Sequence, residues 1–210
     1  FCDVLVIGSG PAGLMAALTA GRAGADVILA EEDHLMGGRL NSEVEQIDGM
    51  TSAKWAAQIV MELGQMSNVR LMQRTTVTGA YDQGTYGALE RVSHHLSDRG
   101  DRPVECFWRI ATKRAILCAG ALERPVAFQN NDRPGIMTAG AVRSYVNRYG
   151  VAPGQRVTVF ANNDEAHRTA LDLIGVGVDV TAVIDSRADA PKSDHFQIIR
   201  DAQICNSAGR

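Results

Sequence analysis

Gly8, Gly10 and Gly13 stand at G-x-G-x-x-G spacing, and Glu31 follows the last of them by 18 residues. Those residue types at that spacing suit the binding of a dinucleotide. Gly8 permits a tight turn, Gly10 lets backbone approach a pyrophosphate, and Gly13 lets a helix pack closely on a sheet. The phosphates would sit at the helix N-terminus beside Pro11 and Ala12, where backbone N–H groups and the positive dipole end favour anions. A carboxylate at Glu31 accepts hydrogen bonds from ribose hydroxyls and repels a 2′-phosphate, which favours FAD or NAD over NADP. The competing explanation, a glycine-rich turn that binds nothing, leaves the terminal acid unexplained.

These residues need a strand, a turn, a helix and a second strand to position them, and the sequence supplies all four. Val4 to Ile7 is a short, β-branched apolar run of the kind buried on both faces of a parallel sheet. Leu14 to Ala23 is rich in small and apolar residues suited to a helix, and Val27 to Ala30 forms the second strand, delivering Glu31. Glu32 continues the acidic edge. Gly37-Gly38-Arg39 then places flexible backbone and a cation where a dinucleotide's phosphates could pass, or else forms a surface turn with a solvated Arg.

Farther on, Ser52 to Met66 reads as a helix with Ser52 at its N-cap and Trp55, Ile59, Val60 and Leu63 on its apolar face. Val69–Met72 and Thr75–Ala80 read as successive strands, with the backbone at Thr76 and Val77 expected near the adenine edge. From Tyr81 to Val92 the periodicity is ambiguous. Val104 to Ile110 alternates as a half-buried strand. Arg114 to Gly120 is read as a further apolar strand, its end (Ala119-Gly120-Ala121) lying beside the dinucleotide, before Pro125 breaks the regular structure.

Asn130 to Ile136 is a polar turn cluster, and a helix capped by Thr138 is expected to reach Tyr149. Gly150 and Pro153-Gly154 suggest a division into residues 1–150, the dinucleotide-binding domain, and 151–210. The second part repeats the opening plan: strand Val157–Phe160, helix Glu165–Ile174, strand Val178–Ile184, then Asp185. Its turn, Asn162-Asn163-Asp164, has lost all three glycines, and Asp164 and Glu165 would repel a pyrophosphate. The expected fold class is therefore α/β. It comprises an FAD/NAD(P)-binding Rossmann-like fold, a parallel sheet with βαβ units and a small β-meander, and then a second, incomplete Rossmann-like unit.

A net charge of −3 gives no electrostatic reason to expect nucleic acid or an anionic membrane as partner. No apolar run is long enough to span a bilayer, Arg22 interrupting the longest candidate. Cys2, Cys106, Cys118 and Cys205 have neither C-x-x-C nor zinc spacing, and Cys118 reads as a buried free thiol. That usage suits a reducing cytosol, and a cytoplasmic location is expected. His34, His94, His95, His167 and His195 lie in polar stretches and read as solvated. No catalytic residue and no metal ligand is assigned. The absence of an initiator Met, and a C-terminal stretch without a closing element, lead to the expectation of a module from a longer polypeptide.

With these residues assembled, the chain resembles the α subunits of bacterial heterotetrameric sarcosine oxidases. The resemblance rests on V-L-V-I-G-S-G-P-A-G-L-M-A-A-L, G-G-R-L, the T-T-V segment at 75–77, L-C-A-G-A-L-E-R-P and, above all, N-N-D-R-P-G-I-M-T-A-G-A-V-R-S-Y-V-N-R-Y-G. It implies oxidative demethylation of sarcosine to glycine, with electrons passing through flavins to oxygen and peroxide released. Formaldehyde can be captured by tetrahydrofolate in another domain of such subunits. It further implies FAD in a β subunit, FMN between the α and β subunits, further small subunits, and NAD in the glycine-rich site. By motif position, Gly8, Gly10, Pro11, Ala12, Gly13, Glu31, Glu32, Gly38, Arg39, Val77, Ala119 and Gly120 would line that site. Related α subunits serve proline and opine dehydrogenases, where FAD at this site is the alternative. A self-contained pyridine-nucleotide-dependent flavin reductase is a second alternative, but it needs a close cysteine pair that these spacings do not offer. In a third, overlapping reading the dinucleotide is structural and does not react.

Overall fold

The computed structural model describes residues 1–189, 192–195 and 197–199. The chain divides into two compact units, Phe1–Asn41 with Glu45–Ala121, and Ser42–Val44 with residues from Leu122 onward. The division falls at Ala121–Leu122 rather than near residue 150. The helix expected to close the first domain belongs to the second unit, because Val142 and Val146 pack with Val159, Ala166, Ala170 and Leu173.

In the first unit the elements are β1 (Cys2–Ile7), α1 (Pro11–Arg22), β2 (Val27–Ala30), the short hairpin β3 (Gln46–Ile47) and β4 (Met50–Thr51), and α2 (Ser52–Gln65). They are followed by β5 (Val69–Met72), β6 (Thr75–Tyr81), β7 (Thr85–Arg91) and β8 (Glu105–Leu117). The main sheet has the order β5-β2-β1-β8-β7-β6. Its first four strands run parallel, and β6, β7 and β8 form an antiparallel meander. The ambiguous Tyr81–Val92 stretch is the meander's middle strand.

β8 is one strand of 13 residues where two were expected. Its first half pairs antiparallel with β7, up to Ala111 opposite Thr85, and its second half pairs parallel with β1, from Thr112 opposite Cys2 to Leu117 opposite Ile7. Nothing in Ala111-Thr112-Lys113 forces a break, and the Thr112 hydroxyl donates to the Asp3 carbonyl across the junction (3.3 Å). A continuous strand thus changes partner while keeping its backbone extended.

The two faces of this sheet bury different sets. Val6, Leu14, Leu18, Leu29, Trp55 and Leu63 pack where α1 and α2 cover one face. Leu5, Met72, Ala88 and Ile110 pack against Val77, Tyr86 and Trp108 on the meander side. Burial of β1 on both faces explains its unbroken apolar sequence. On α2, Ser52 is not the N-cap: Thr51 holds that place, and the Ser52 hydroxyl donates instead to the Leu40 carbonyl (2.9 Å).

The second unit contains α3 (Ala139–Arg143), which runs on into a π-turn at Ser144–Arg148, then β9 (Arg156–Ala161), α4 (Glu165–Gly175), β10 (Asp179–Asp185) and β11 (Ile198–Ile199). Its parallel sheet has the order β11-β10-β9. Arg143 is buried, 3% exposed, with its Nε 2.8 Å from Asp172 and Nη1 3.2 Å from Glu165. The Asn147 amide also donates to Asp172 (2.8 Å). The expected C-terminal stretch, Cys205 included, lies outside the described residues.

Candidate dinucleotide site

The site is built where β1 hands the chain to α1. Gly8 has φ +95°, and a Cβ there would lie 2.5 Å from the Cys118 carbonyl oxygen and 3.0 Å from the Ala119 Cα. At Gly13 a Cβ would come within 1.9 Å of the Gly8 carbonyl oxygen. Both positions exclude any side chain, because what it would strike is backbone. Gly10 is different: a Cβ there meets nothing within 4 Å. The first and third glycines therefore serve packing, and the second faces open space at the N-cap of α1. The first turn of α1 begins with exposed Pro11 and Ala12 and carries no acidic residue to compete with an anion.

Glu31 is buried, 7% exposed, immediately after β2. One carboxylate oxygen accepts hydrogen bonds from the Ser9 backbone N–H (2.8 Å) and the Ser9 hydroxyl (2.6 Å), and the other accepts from the Asp33 N–H (2.9 Å). The Ser9 hydroxyl in turn accepts from the Gly37 N–H (3.0 Å). The acid is thus locked to the glycine turn. Ser9, fully buried, was not singled out from sequence; its signal was a polar side chain between two glycines. Charge-assisted bonds of this kind are the stronger sort, so the turn and the acid hold each other in place.

Several other sequence-derived candidates converge here. Gly38 presses against the turn, since a Cβ on it would lie 3.0 Å from the Gly10 Cα. Ala119 lies beside Gly8, and Gly120, with φ +70°, continues that edge in the exposed segment after β8. Glu32 and Arg39 are exposed in the loop that carries Glu31 and Gly38. Val77 is not brought to the turn by its side chain, which packs in the meander core. Its strand reaches the site through backbone two residues earlier, where the Thr75 N–H donates to the Glu31 carbonyl (2.8 Å).

The corresponding turn of the second unit is filled by its own side chains. The Asn163 side chain accepts the Glu165 N–H at the start of α4 (3.1 Å). Asp185, fully buried at the end of β10, occupies the place that Glu31 holds after β2. Its oxygens accept from Arg187 Nε (3.0 Å) and Nη2 (2.8 Å), and Nη2 also lies 2.9 Å from Asp164 in the turn. One guanidinium therefore bridges the strand-end acid and the turn acid. It holds the Asp185 carboxyl well below the usual range, at about 2. His167, expected in solvent, is nearly buried with Nε2 3.5 Å from the same carboxylate.

Cys2, Cys106 and Cys118 are free thiols, the first buried and the others, Cys118 among them, half-buried. Among the described residues no group of His, Cys, Asp and Glu is arranged to hold a metal ion. No described helix is long and apolar enough to cross a membrane.

The parallel βαβ unit, the glycine turn with its open second position and the acid fixed at the end of the second strand define a Rossmann-like fold of the dinucleotide-binding type. The family model "FAD dependent oxidoreductase" matches residues 3–117. The chain belongs to that family. It is 48% identical over 211 residues to the α subunit of sarcosine oxidase from Rhizobium meliloti (strain 1021), across 99% of this chain and 21% of that protein. It is 30% identical to one subunit of the opine oxidase of Agrobacterium tumefaciens (strain Ach5), across 89% of this chain and 37% of that protein. Among solved structures, L-proline dehydrogenase from P. horikoshii superposes with a TM-score of 0.70 at 24% identity, over 95% of this chain and 41% of that one. The chain therefore spans well under half the length of each of these proteins.

Proposed function

We propose that this chain is the nucleotide-binding module of a multi-subunit, flavin-dependent sarcosine oxidase, and that its glycine turn holds NAD. The observation that carries the amine-oxidase reading is the 48% identity to a sarcosine oxidase α subunit, which covers 99% of this chain and so spans both units. The open Gly10 position beside a fixed carboxylate at Glu31 supports a dinucleotide without a 2′-phosphate, and the choice of NAD rests on the resemblance to sarcosine oxidase α subunits.

The residues fit such a ligand. The Gly10 backbone and the start of α1 at Pro11 and Ala12 would receive the pyrophosphate, with Gly38 and Arg39 alongside. Glu31 and Glu32 form the ribose edge, with Val77 backbone, Ala119 and Gly120 completing the lining. A bound pyridine or flavin dinucleotide supplies hydride or electron transfer. This chain's own residues supply binding and orientation only. Oxidation of the amine, peroxide formation, the FAD of a β subunit, the FMN at the α–β boundary and the further small subunits are assigned to the complete complex, in the cytoplasm.

The second reading is FAD at the same site, as in an amine or imino-acid dehydrogenase. The family's name favours it. The two are separated by purifying the full-length protein without added cofactor, denaturing it, and identifying the released molecules by absorbance and mass. A complex expressed without its β subunit is the informative sample: NAD alone from the α subunit supports the first reading, and FAD from the α subunit replaces it with the second.

A further inference from the structure

We propose that the first unit carries a second anion site, for a phosphate-type group, separate from the dinucleotide groove. A cavity of about 270 Å³ opens where β5 and β7 end, lined by Arg70, Gln73, Arg74, Glu90 and Arg91 among others. Cofactor pockets run to about 300–1,000 Å³, so this volume suits one phosphate group and its water rather than a whole nucleotide.

Three arginines line the cavity with a single carboxylate residue, in a chain whose net charge is −3. That carboxylate, Glu90, accepts the Trp108 indole N–H (2.6 Å), and Arg70 lies over the same ring, 4.5 Å from its centroid. One tryptophan thus anchors both an arginine and the acid, and three cations against one anion leave the lining with a net positive charge. The backbone at Arg74 and Arg91 is fixed as well: the Arg91 N–H donates to the Arg74 carbonyl and the Arg74 N–H to the Asp33 carbonyl, each at 2.9 Å.

Ion pairs among the described residues of this unit include Arg22–Glu62, His34–Asp33 and Lys113–Asp3, and none of these engages the cavity arginines. His95 is held below the usual imidazole range, first by loss of hydration and then by the charge of Arg74. Forked guanidinium donors on three arginines around one small cavity suit the oxygens and double charge of a phosphate better than a single carboxylate. The ligand is therefore a phosphate dianion, either free or as a phosphomonoester.

The test is titration of the full-length protein with inorganic phosphate and with methyl phosphate, its dinucleotide left in place, by calorimetry and by the NMR signal of the His95 ring, assigned with H95Q. Saturable binding that raises the His95 pKa is expected. Arg91→Gln should weaken binding about tenfold, and the R70Q/R91Q pair more, as the loss of charge-assisted contacts implies, with dinucleotide content unchanged. Tighter binding of methyl phosphate assigns the site to a phosphomonoester, and tighter binding of phosphate to the free ion. The proposal is overturned by the absence of saturation, by unaltered affinity in R91Q and R70Q/R91Q, or by binding seen only once the dinucleotide is removed. The last result would make the cavity part of the dinucleotide site.

Discussion

Gly10→Val should separate binding from folding. The added Cβ meets no atom within 4 Å, and Gly10 has φ −61° and ψ −179°, a backbone conformation open to valine. The cost to the fold is then limited to exchanging glycine for an apolar residue at an N-cap, on the order of 1 kcal/mol, or about 2–4 °C in Tm at this chain length. The same methyl groups would fill the space in which a pyrophosphate meets the start of α1. Losing two charge-assisted hydrogen bonds of about 1.5–3 kcal/mol each corresponds to a fall in affinity of roughly 10²–10⁴-fold. Gly13→Ala is the contrast, because its Cβ would sit 1.9 Å from the Gly8 carbonyl oxygen and the backbone must move. Calorimetry of nucleotide binding with thermal melts of both variants reads the two effects apart. Stoichiometric nucleotide in a folded Gly10→Val protein would refute the site, and a melt as damaged as that of Gly13→Ala would refute the packing argument.

Other expectations concern the acids and the buried arginine. Glu31→Ala should weaken NAD binding more than NADP binding, since it removes both a ribose acceptor and a charge that repels a 2′-phosphate; equal losses measured by calorimetry would remove Glu31 from the ribose edge. Asp185 contributes stability that is fully present above its unfolded pKa near 3.8 and is lost as pH falls through about 2. In Asp185→Asn the acid limb between about pH 4 and pH 2 should therefore flatten, by up to about 2 kcal/mol in denaturant melts. Arg143→Met strands the nearly buried Asp172 carboxylate and should destabilise the second unit by about 3–5 kcal/mol. Hydrogen exchange should report that loss in β9, α4 and β10.

What could be read from sequence was local. The β1–α1–β2 unit, the helix at Ser52, the strands at Val69 and Thr75 and the second βαβ unit all carry their periodicity and punctuation within a few residues of themselves. The union of two expected strands into β8 was not legible, because it depends on β7 and β1 offering partners in succession. Neither was the allegiance of α3, which is set by Val142, Val146 and Arg143 meeting α4 across intervening sequence. In the site, the spacing already set Gly10, open to a pyrophosphate, apart from Gly13, which packs helix on sheet; what it did not show is that Gly8 is closed as well, by the Cys118 carbonyl. Ser9 and Arg187 escaped notice because each acts through a partner that only the fold supplies.

The most direct test is backbone hydrogen–deuterium exchange on protein stripped of nucleotide and then saturated with NAD. Added protection should fall on residues 8–14, 31–39 and 117–121, with residues 161–168 and 183–187 unchanged. Protection of the Asn162–Asp164 turn, or none at Gly8–Leu14, would contradict the assignment of a single dinucleotide to the first unit.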